Sequence, residues 1–240
     1  MDWNPAVAQV TPYLVKIETP AGHGTGYLCL YCGEDDALCG IATARHVVEY
    51  AEQWQQPIRI LHEPSKGVTL LQDSGRIIFT DAQRDSAVIL LPAGNLDLPK
   101  TLIPLRPIQD GLRIGDEVGW LGYPALGRSS DTLCFFSGNV SARQDFNHAY
   151  LIDGVAINGV SGGPVVVLAD DGTPQIVGTI AAYIVNRATG EALPGLSVAQ
   201  DLSHLHDTVS DIKSTDEANR KKREQEQQAS PPPEGSGPKP

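Results

Sequence analysis

The run Gly159-Val160-Ser161-Gly162-Gly163-Pro164 sets one hydroxyl among glycines, just ahead of the apolar stretch Val165-Val166-Val167-Leu168. A serine hydroxyl is hardly ionised at neutral pH, so a nucleophilic role demands a neighbouring base. A neutral imidazole, with a pKa near ~6.5, suits that task. A buried carboxylate must then fix the imidazole tautomer and stabilise its charged form. Two backbone N–H groups must also face the oxyanion that develops on an attacked carbonyl. Glycine at 159 lets the backbone turn so that such N–H groups converge. Ser161 is therefore the candidate nucleophile, and Gly159, Val160 and Ser161 are the candidate oxyanion hole. An ordinary Gly-rich turn has the same composition, so partners elsewhere in the chain must decide.

Two further segments supply residue types of the right kind. His46 stands in Ala42-Thr43-Ala44-Arg45-His46-Val47-Val48, where a strand-like run gives way to a short helical stretch. Asp85 stands directly before Ser86-Ala87-Val88-Ile89-Leu90-Leu91, and a carboxylate at the edge of a buried strand needs hydrogen-bond partners. Asp81, four residues earlier, is the competing acid and is expected in a solvent-facing turn.

The elements that must position these residues read as β-strands. Short runs rich in Val, Ile, Leu and Tyr recur at Tyr13–Ile17, Tyr27–Tyr31, Ile58–His62, Arg76–Phe79, Ala87–Leu91, Val118–Leu121 and Cys134–Phe136. They continue at Tyr150–Ile152, Val165–Leu168, Ile176–Val185 and Leu196–Ala199, and Gly, Pro, Asp or Asn separates most of them. Only Ala44–Trp54 interrupts with a helical stretch. With 24 glycines and 18 prolines, the pattern predicts an all-β barrel or sandwich. Residues 201–212 have apolar side chains at helical spacing and read as a short closing helix. Lys213 to Gln228 is nearly all polar and Ala229 to Pro240 is rich in Ser, Pro and Gly, so 213–240 is expected to be a disordered tail or linker.

Composition narrows the function. The chain has 240 residues, 41% of them hydrophobic, enough to bury a core. A net charge of -11 argues against a nucleic-acid partner, which wants a basic face. No apolar stretch approaches the ~18 residues of a membrane span, and Met1-Asp2-Trp3-Asn4-Pro5 opens no secretory signal. A cytoplasmic protein, without membrane or nucleic-acid partners, is expected. Cys29 and Cys32 have ligand-like spacing, but no second pair completes a metal site, and on one strand they face opposite sides. Free, mostly buried thiols are expected at Cys29, Cys32, Cys39 and Cys134, with a Cys29–Cys39 bridge as the alternative. No metal or cofactor is called for.

In composition and order these segments resemble the chymotrypsin-fold serine proteases, most closely bacterial HtrA-like and related trypsin-like peptidases. The matching pieces are Gly22-His23-Gly24-Thr25-Gly26-Tyr27-Leu28, Thr43-Ala44-Arg45-His46-Val47, Asp85-Ser86-Ala87-Val88 and Gly159 through Pro164. The run from Val10 to Ile17 resembles the family's first strand, Gly122-Tyr123-Pro124 its Gly-Asn-Pro turn, and Ser137-Gly138-Asn139-Val140-Ser141 and Gly195-Leu196-Ser197-Val198-Ala199 later strands, so the likeness spans roughly residues 8 to 210.

The resemblance implies two six-stranded antiparallel β-barrels over 1–212, with the site in the cleft between them. It implies His46 and Asp85 from the first barrel and Ser161 from the second, hydrolysing protein or peptide substrates through an acyl-enzyme. It places the primary pocket near Val155, Ala156, Ile180, Ala181, Ala182 and Tyr183, with Val155 near its floor. An apolar floor disfavours a buried charge, so cleavage after small or medium apolar residues is expected. Val160 stands where relatives with zymogen activation carry Asp, so activation by N-terminal clipping is not expected. Two other readings stand beside the enzyme: a catalytically inactive pseudoprotease binding proteins on the same fold, and a protease tethered through residues 213–240 to a fused or recruited partner.

Overall fold

The computed structural model of the chain describes residues 2–94, 96–126, 132–185 and 192–229; the side chains of 182–185, 192–194 and 226–229 are outside that description. Helix α1 (Asn4–Val10) leads into β1 (Leu14–Thr19), β2 (Gly22–Cys32), β3 (Leu38–Ala44), α2 (Arg45–Gln53), β4 (Ile58–His62), β5 (Gly67–Leu71), β6 (Ile77–Asp81) and β7 (Ser86–Pro92). These strands form one antiparallel seven-stranded sheet in the order β5-β4-β1-β2-β3-β7-β6. The second half contributes β8 (Glu117–Gly122), β9 (Cys134–Gln144), β10 (Ala149–Asp153), β11 (Pro164–Leu168), β12 (Pro174–Val185) and β13 (Ala192–Asp201), followed by α3 (Ser203–Ala229). Its strands close into a barrel in the order β10-β13-β12-β11-β8-β9.

The all-β, chymotrypsin-like class is as the sequence leads one to expect, but the first half is a half-barrel. Its end strands β5 and β6 follow one another in the chain without a ladder between them. At that seam the buried Arg76 guanidinium donates to the Leu71 carbonyl at 3.1 Å and to the Ala51 carbonyl at 3.2 Å. A side chain thus takes the last β5 carbonyl that a neighbouring strand would otherwise satisfy. The apolar runs anticipate every strand except β3 and β5. Strand β3 is poor in strand-forming residues, with Gly40, Ala42 and Ala44 among its positions, and is held by pairing along its whole length to β7 and from Leu38 to Ala42 to β2.

Three cores organise the molecule. Val15, Ile17, Ile41, Ala51, Ile60 and Ile89 fill the half-barrel under α2. Val118, Trp120, Val140, Ile152, Val165 and Ile180 fill the closed barrel. The third core joins the halves, with Tyr27 and Val88 meeting Leu121, Tyr123 and Val166 beneath Leu202 and, from α3, Leu205, Val209 and Ile212. The buried Tyr27 hydroxyl and Thr179 Oγ1, 2.8 Å apart, hydrogen-bond across this junction. Cys29, Cys32 and Cys39 are buried free thiols and Cys134 is half-buried; burial pushes the Cys39 thiol up to about 12, which leaves it protonated and unreactive.

The closing helix is longer than its apolar spacing suggests. It continues past Ile212 to Ala229, through residues expected to be disordered, while 230–240 lie outside the described residues. Lys, Glu, Gln, Arg and Ala are good helix formers. A helix nucleated on a packed first half extends at the cost of local ordering alone. Asp216 Oδ2 accepts the Gly33 N–H at 3.0 Å, and Lys221 pairs with Glu217 at 2.8 Å. Among the described residues, no helix is long and apolar enough to cross a membrane.

His204, in the first turn of α3, makes this end of the molecule pH-sensitive. Its Nε2 and Thr208 Oγ1 are 3.1 Å apart, and its buried Nδ1 has no partner among the described residues. Burial holds its pKa below the usual imidazole value, and Arg84 adds to this against the pull of Asp81 and Asp207. With a depressed folded pKa, the unfolded chain takes up a proton before the native state does. Stability contributed by neutral His204 is therefore lost as pH falls from about 6.5 toward the folded pKa. Thermal melts from pH 7.5 to 5 should show a steeper fall in Tm for the wild type than for His204→Gln; parallel slopes would refute this.

Candidate active site

Asp85 is presented by the turn joining β6 to β7, which the pair Asp81–Ser86 closes. Asp81 builds that turn: its Oδ1 accepts the N–H groups of Gln83 and Arg84 at 2.8 and 3.0 Å, and its Oδ2 pairs with Arg84 Nη1 at 2.7 Å. Partial burial alone would raise the Asp81 pKa, but the bonds from Arg84 and Gln83 outweigh it and hold the carboxyl below its usual range. Asp85 itself has φ 44, left-handed backbone that Asp tolerates better than most residues.

From that position Asp85 reaches the start of α2, whose first N–H groups have no acceptor in their own helix. Its carbonyl accepts the Arg45 N–H at 3.0 Å and its Oδ1 the His46 N–H at 2.9 Å. Its Oδ2 accepts from His46 Nδ1 at 2.7 Å. One carboxylate thus caps the helix and orients the ring it carries. Because Oδ2 can only accept, the proton sits on Nδ1 and the Nε2 lone pair is left available.

Ser161 comes from the closed barrel. Its flanks are pinned by Gly162 N–H to the Ile180 carbonyl (2.7 Å), Ile180 N–H to the Gly163 carbonyl (2.9 Å) and Thr25 N–H to the Ser161 carbonyl (2.8 Å). The Ser161 hydroxyl donates to the Ala181 carbonyl at 3.4 Å, a long bond. Just upstream, the Asn158 carbonyl accepts the Ala125 N–H at 2.6 Å. Since no peptide among the described residues is cis, the Gly159 N–H points the opposite way from that carbonyl. Gly159 has φ 95, and a Cβ there would lie 2.5 Å from His23 Nε2 and clash with the Tyr123 carbonyl. Among the described residues neither the Gly159 nor the Ser161 N–H has an acceptor. Val160 is fully buried in the barrel core beside them.

A cavity of about 360 Å³ opens at this point, with His23, His46, Val47, Asn158, Gly159 and Ser161 in its wall. The structure therefore brings His46, Asp85, Gly159 and Ser161 together. Of the expected pocket residues, Ala181 meets Ser161 through its carbonyl, and neither it nor Val155, Ala156 or Ile180 is in the wall of this cavity. Val155 is 49% exposed, Ile180 is buried in the barrel core, Ala181 is buried with its carbonyl toward Ser161, and Ala156 packs against the barrel core. The side chains of Ala182 and Tyr183 lie outside the described residues. Val155 is thus not the floor of this cavity. The neighbouring Gly154 packs against the Trp120 indole so closely that a Cβ would clash, and residue 155 turns outward. The residues that sequence reasoning left without a role are His23, Thr25, Thr43 and the 123–125 segment; for His23 and Thr25 the signal is the run Gly22-His23-Gly24-Thr25-Gly26, whose glycines admit close backbone approach.

A half-barrel and a closed barrel meeting at such a cleft define a chymotrypsin-type fold. The chain belongs to the trypsin-like peptidase domain family, whose model matches residues 24–178, and is a peptidase. Among solved structures it is similar to Deg5, at 21% identity and TM-score 0.60, covering 85% of this chain and 90% of that one. It is also similar to Rv3671c from M. tuberculosis H37Rv, solved as a serine-to-alanine mutant in an inactive form, at 18% identity and TM-score 0.58, covering 87% of this chain and 90% of that one. A second inactive form of the Rv3671c protease matches at 19% identity and TM-score 0.57, covering 87% of this chain and 93% of that one. These likenesses concern the fold. No curated protein matches the chain.

Proposed function

We propose that the protein is a serine endopeptidase in which Ser161 attacks the scissile carbonyl. His46 Nε2 takes the hydroxyl proton and later delivers it to the leaving amine. Asp85 holds the ring and stabilises its charged form. The Gly159 and Ser161 N–H groups receive the oxyanion, and water then releases the acyl group from Ser161. The observation that carries this reading is the two-point grip of Asp85 on His46, which leaves Nε2 unprotonated at the cavity where Ser161 and two unpaired N–H groups stand. Val160 cannot form an ion pair with a new N-terminus, which favours a hole that needs no clipping.

A fluorophosphonate that modifies activated serines should label the wild type at Ser161 and leave Ser161→Ala unlabelled. Absence of labelling in folded protein would overturn the reading. One observation favours the second reading, a binding module on the same fold: the Ser161 hydroxyl bonds the Ala181 carbonyl, and no bond to His46 is made. Labelling separates the two.

For the substrate residue before the scissile bond we expect small or medium apolar side chains. Near Ser161 the cavity wall includes Ala21, Val47 and Ala125 and carries no carboxylate among the described residues. A positional-scanning peptide library should be depleted of Lys and Arg at that position; dominance of either would overturn the expectation.

A further inference from the structure

We infer that Thr25 is the positioning residue of the oxyanion hole, an assignment that rests on the serine-peptidase reading above. Thr25 lies on β2 in the opposite half of the molecule from Ser161 and is fully buried. Its main chain and side chain grip the same loop at two points. The Thr25 N–H donates to the Ser161 carbonyl at 2.8 Å, and the Thr25 hydroxyl donates to the Gly159 carbonyl at 2.8 Å.

The direction of that second bond is fixed by what feeds it. Thr25 Oγ1 accepts the Tyr123 N–H at 2.9 Å, so its single proton is committed to Gly159. The Thr25 carbonyl in turn accepts the Thr43 hydroxyl at 2.7 Å, which ties the strand to the segment leading into α2 and His46. A threonine also has little χ1 freedom, which suits a fixed relay.

The consequence falls on the peptides either side of Gly159. The carbonyl before it is held by the Ala125 N–H, and its own carbonyl is held by Thr25. Both anchors come from the 123–125 segment or from a group that this segment orients. With both peptides fixed, the left-handed φ of Gly159 is held, and with it the direction of the free N–H. Glycines make the approach feasible: a Cβ on Gly122 would lie 2.8 Å from Thr25 Oγ1, and one on Gly162 would clash with the Thr25 carbonyl. Thr25 touches no reacting atom. It acts by holding the backbone of Gly159 and so aiming the Gly159 N–H, and a mis-aimed donor loses most of its effect on an oxyanion.

The test compares Thr25→Val, which keeps the shape and removes the hydroxyl, with Thr25→Ser, which keeps the hydroxyl. The probe is a fluorophosphonate, whose phosphoryl oxygen gains charge as Ser161 attacks. The measurements are its saturation constant and maximal inactivation rate, with far-UV circular dichroism to establish folding. Thr25→Val should lower the maximal rate about ten- to a hundredfold with the saturation constant within about twofold, and Thr25→Ser should stay within about threefold of wild type. If Thr25→Val does not fold, Thr25→Cys, whose thiol is a weak donor and acceptor, carries the test with the same expected loss. An unchanged rate in the hydroxyl-free variant, a loss confined to the saturation constant, or an equal loss in Thr25→Ser would overturn the assignment while leaving the peptidase intact. A wild type that is not labelled overturns the peptidase reading and this assignment with it.

Discussion

His46→Ala and Ser161→Ala are each expected to lower the turnover of an unfolded protein substrate such as denatured casein by about 10⁴- to 10⁶-fold, and the double variant by no more than the worse single one. The reason lies in the shared proton. His46 has use as a base only if the Ser161 hydroxyl is there to be deprotonated, and the hydroxyl is a poor nucleophile without it, so the two losses do not add. The cycle is informative because His46 is held by Asp85 and not by Ser161, with a 2.7 Å bond on its far nitrogen. Removing Ser161 therefore leaves the imidazole in place. Additive losses, or a His46→Ala variant with more than about a tenth of wild-type turnover, would remove His46 from the proposed role. Asp85→Asn should lose somewhat less, because an amide in that place favours the wrong tautomer but disturbs neither the ring nor the serine.

Gly162→Ala is expected to cost about 2–5 kcal/mol of folding stability, against about 1 kcal/mol for Gly172→Ala. Both glycines have left-handed backbone, φ 86 at Gly162 and φ 82 at Gly172, so both variants pay the conformational cost of a Cβ there. They differ in what the added methyl meets. At Gly172 there is open space; at Gly162 it would collide with the Thr25 carbonyl and Thr43 Oγ1, where the halves meet around Ser161. Neither obstacle is the loose end of a long side chain, so relief requires the halves to part. Denaturant titration measures the difference directly, and equal losses would show that the junction has slack.

The parts of the site that chemistry restricts by residue type were legible in the sequence. Ser161 among glycines, His46 at a strand-to-helix step and Asp85 before a buried strand are each of a type that acyl transfer requires, and the trypsin-like likeness is what selected them together as the proposed triad. The choice of Asp85 over Asp81 was also legible, and the two acids now have separate tasks, one gripping His46 and one folding the turn. Alternating apolar runs between turn residues were enough for the all-β class, because a strand's burial pattern is written in its own residues.

What the sequence could not specify depended on which distant groups come within bonding distance. Arg76 reads as an ordinary strand residue, yet its guanidinium occupies the seam where the first sheet remains open. The polar second half of α3 reads as disordered by its own composition, and is helical because the packed turns before it have already met the nucleation cost. Val155 reads as a pocket floor by register, but Gly154 resting on Trp120 turns it to solvent. Thr25 carries no catalytic residue type at all; only its position across the cleft, between the Tyr123 N–H and the Gly159 carbonyl, gives it a role. Sequence by itself determined which side chains can do the chemistry, since reactivity belongs to residue types. Tertiary structure decided how they are aimed, since hydrogen bonds are short and directional and their partners here lie from 39 residues apart, for His46 and Asp85, to 134 apart, for Thr25 and Gly159.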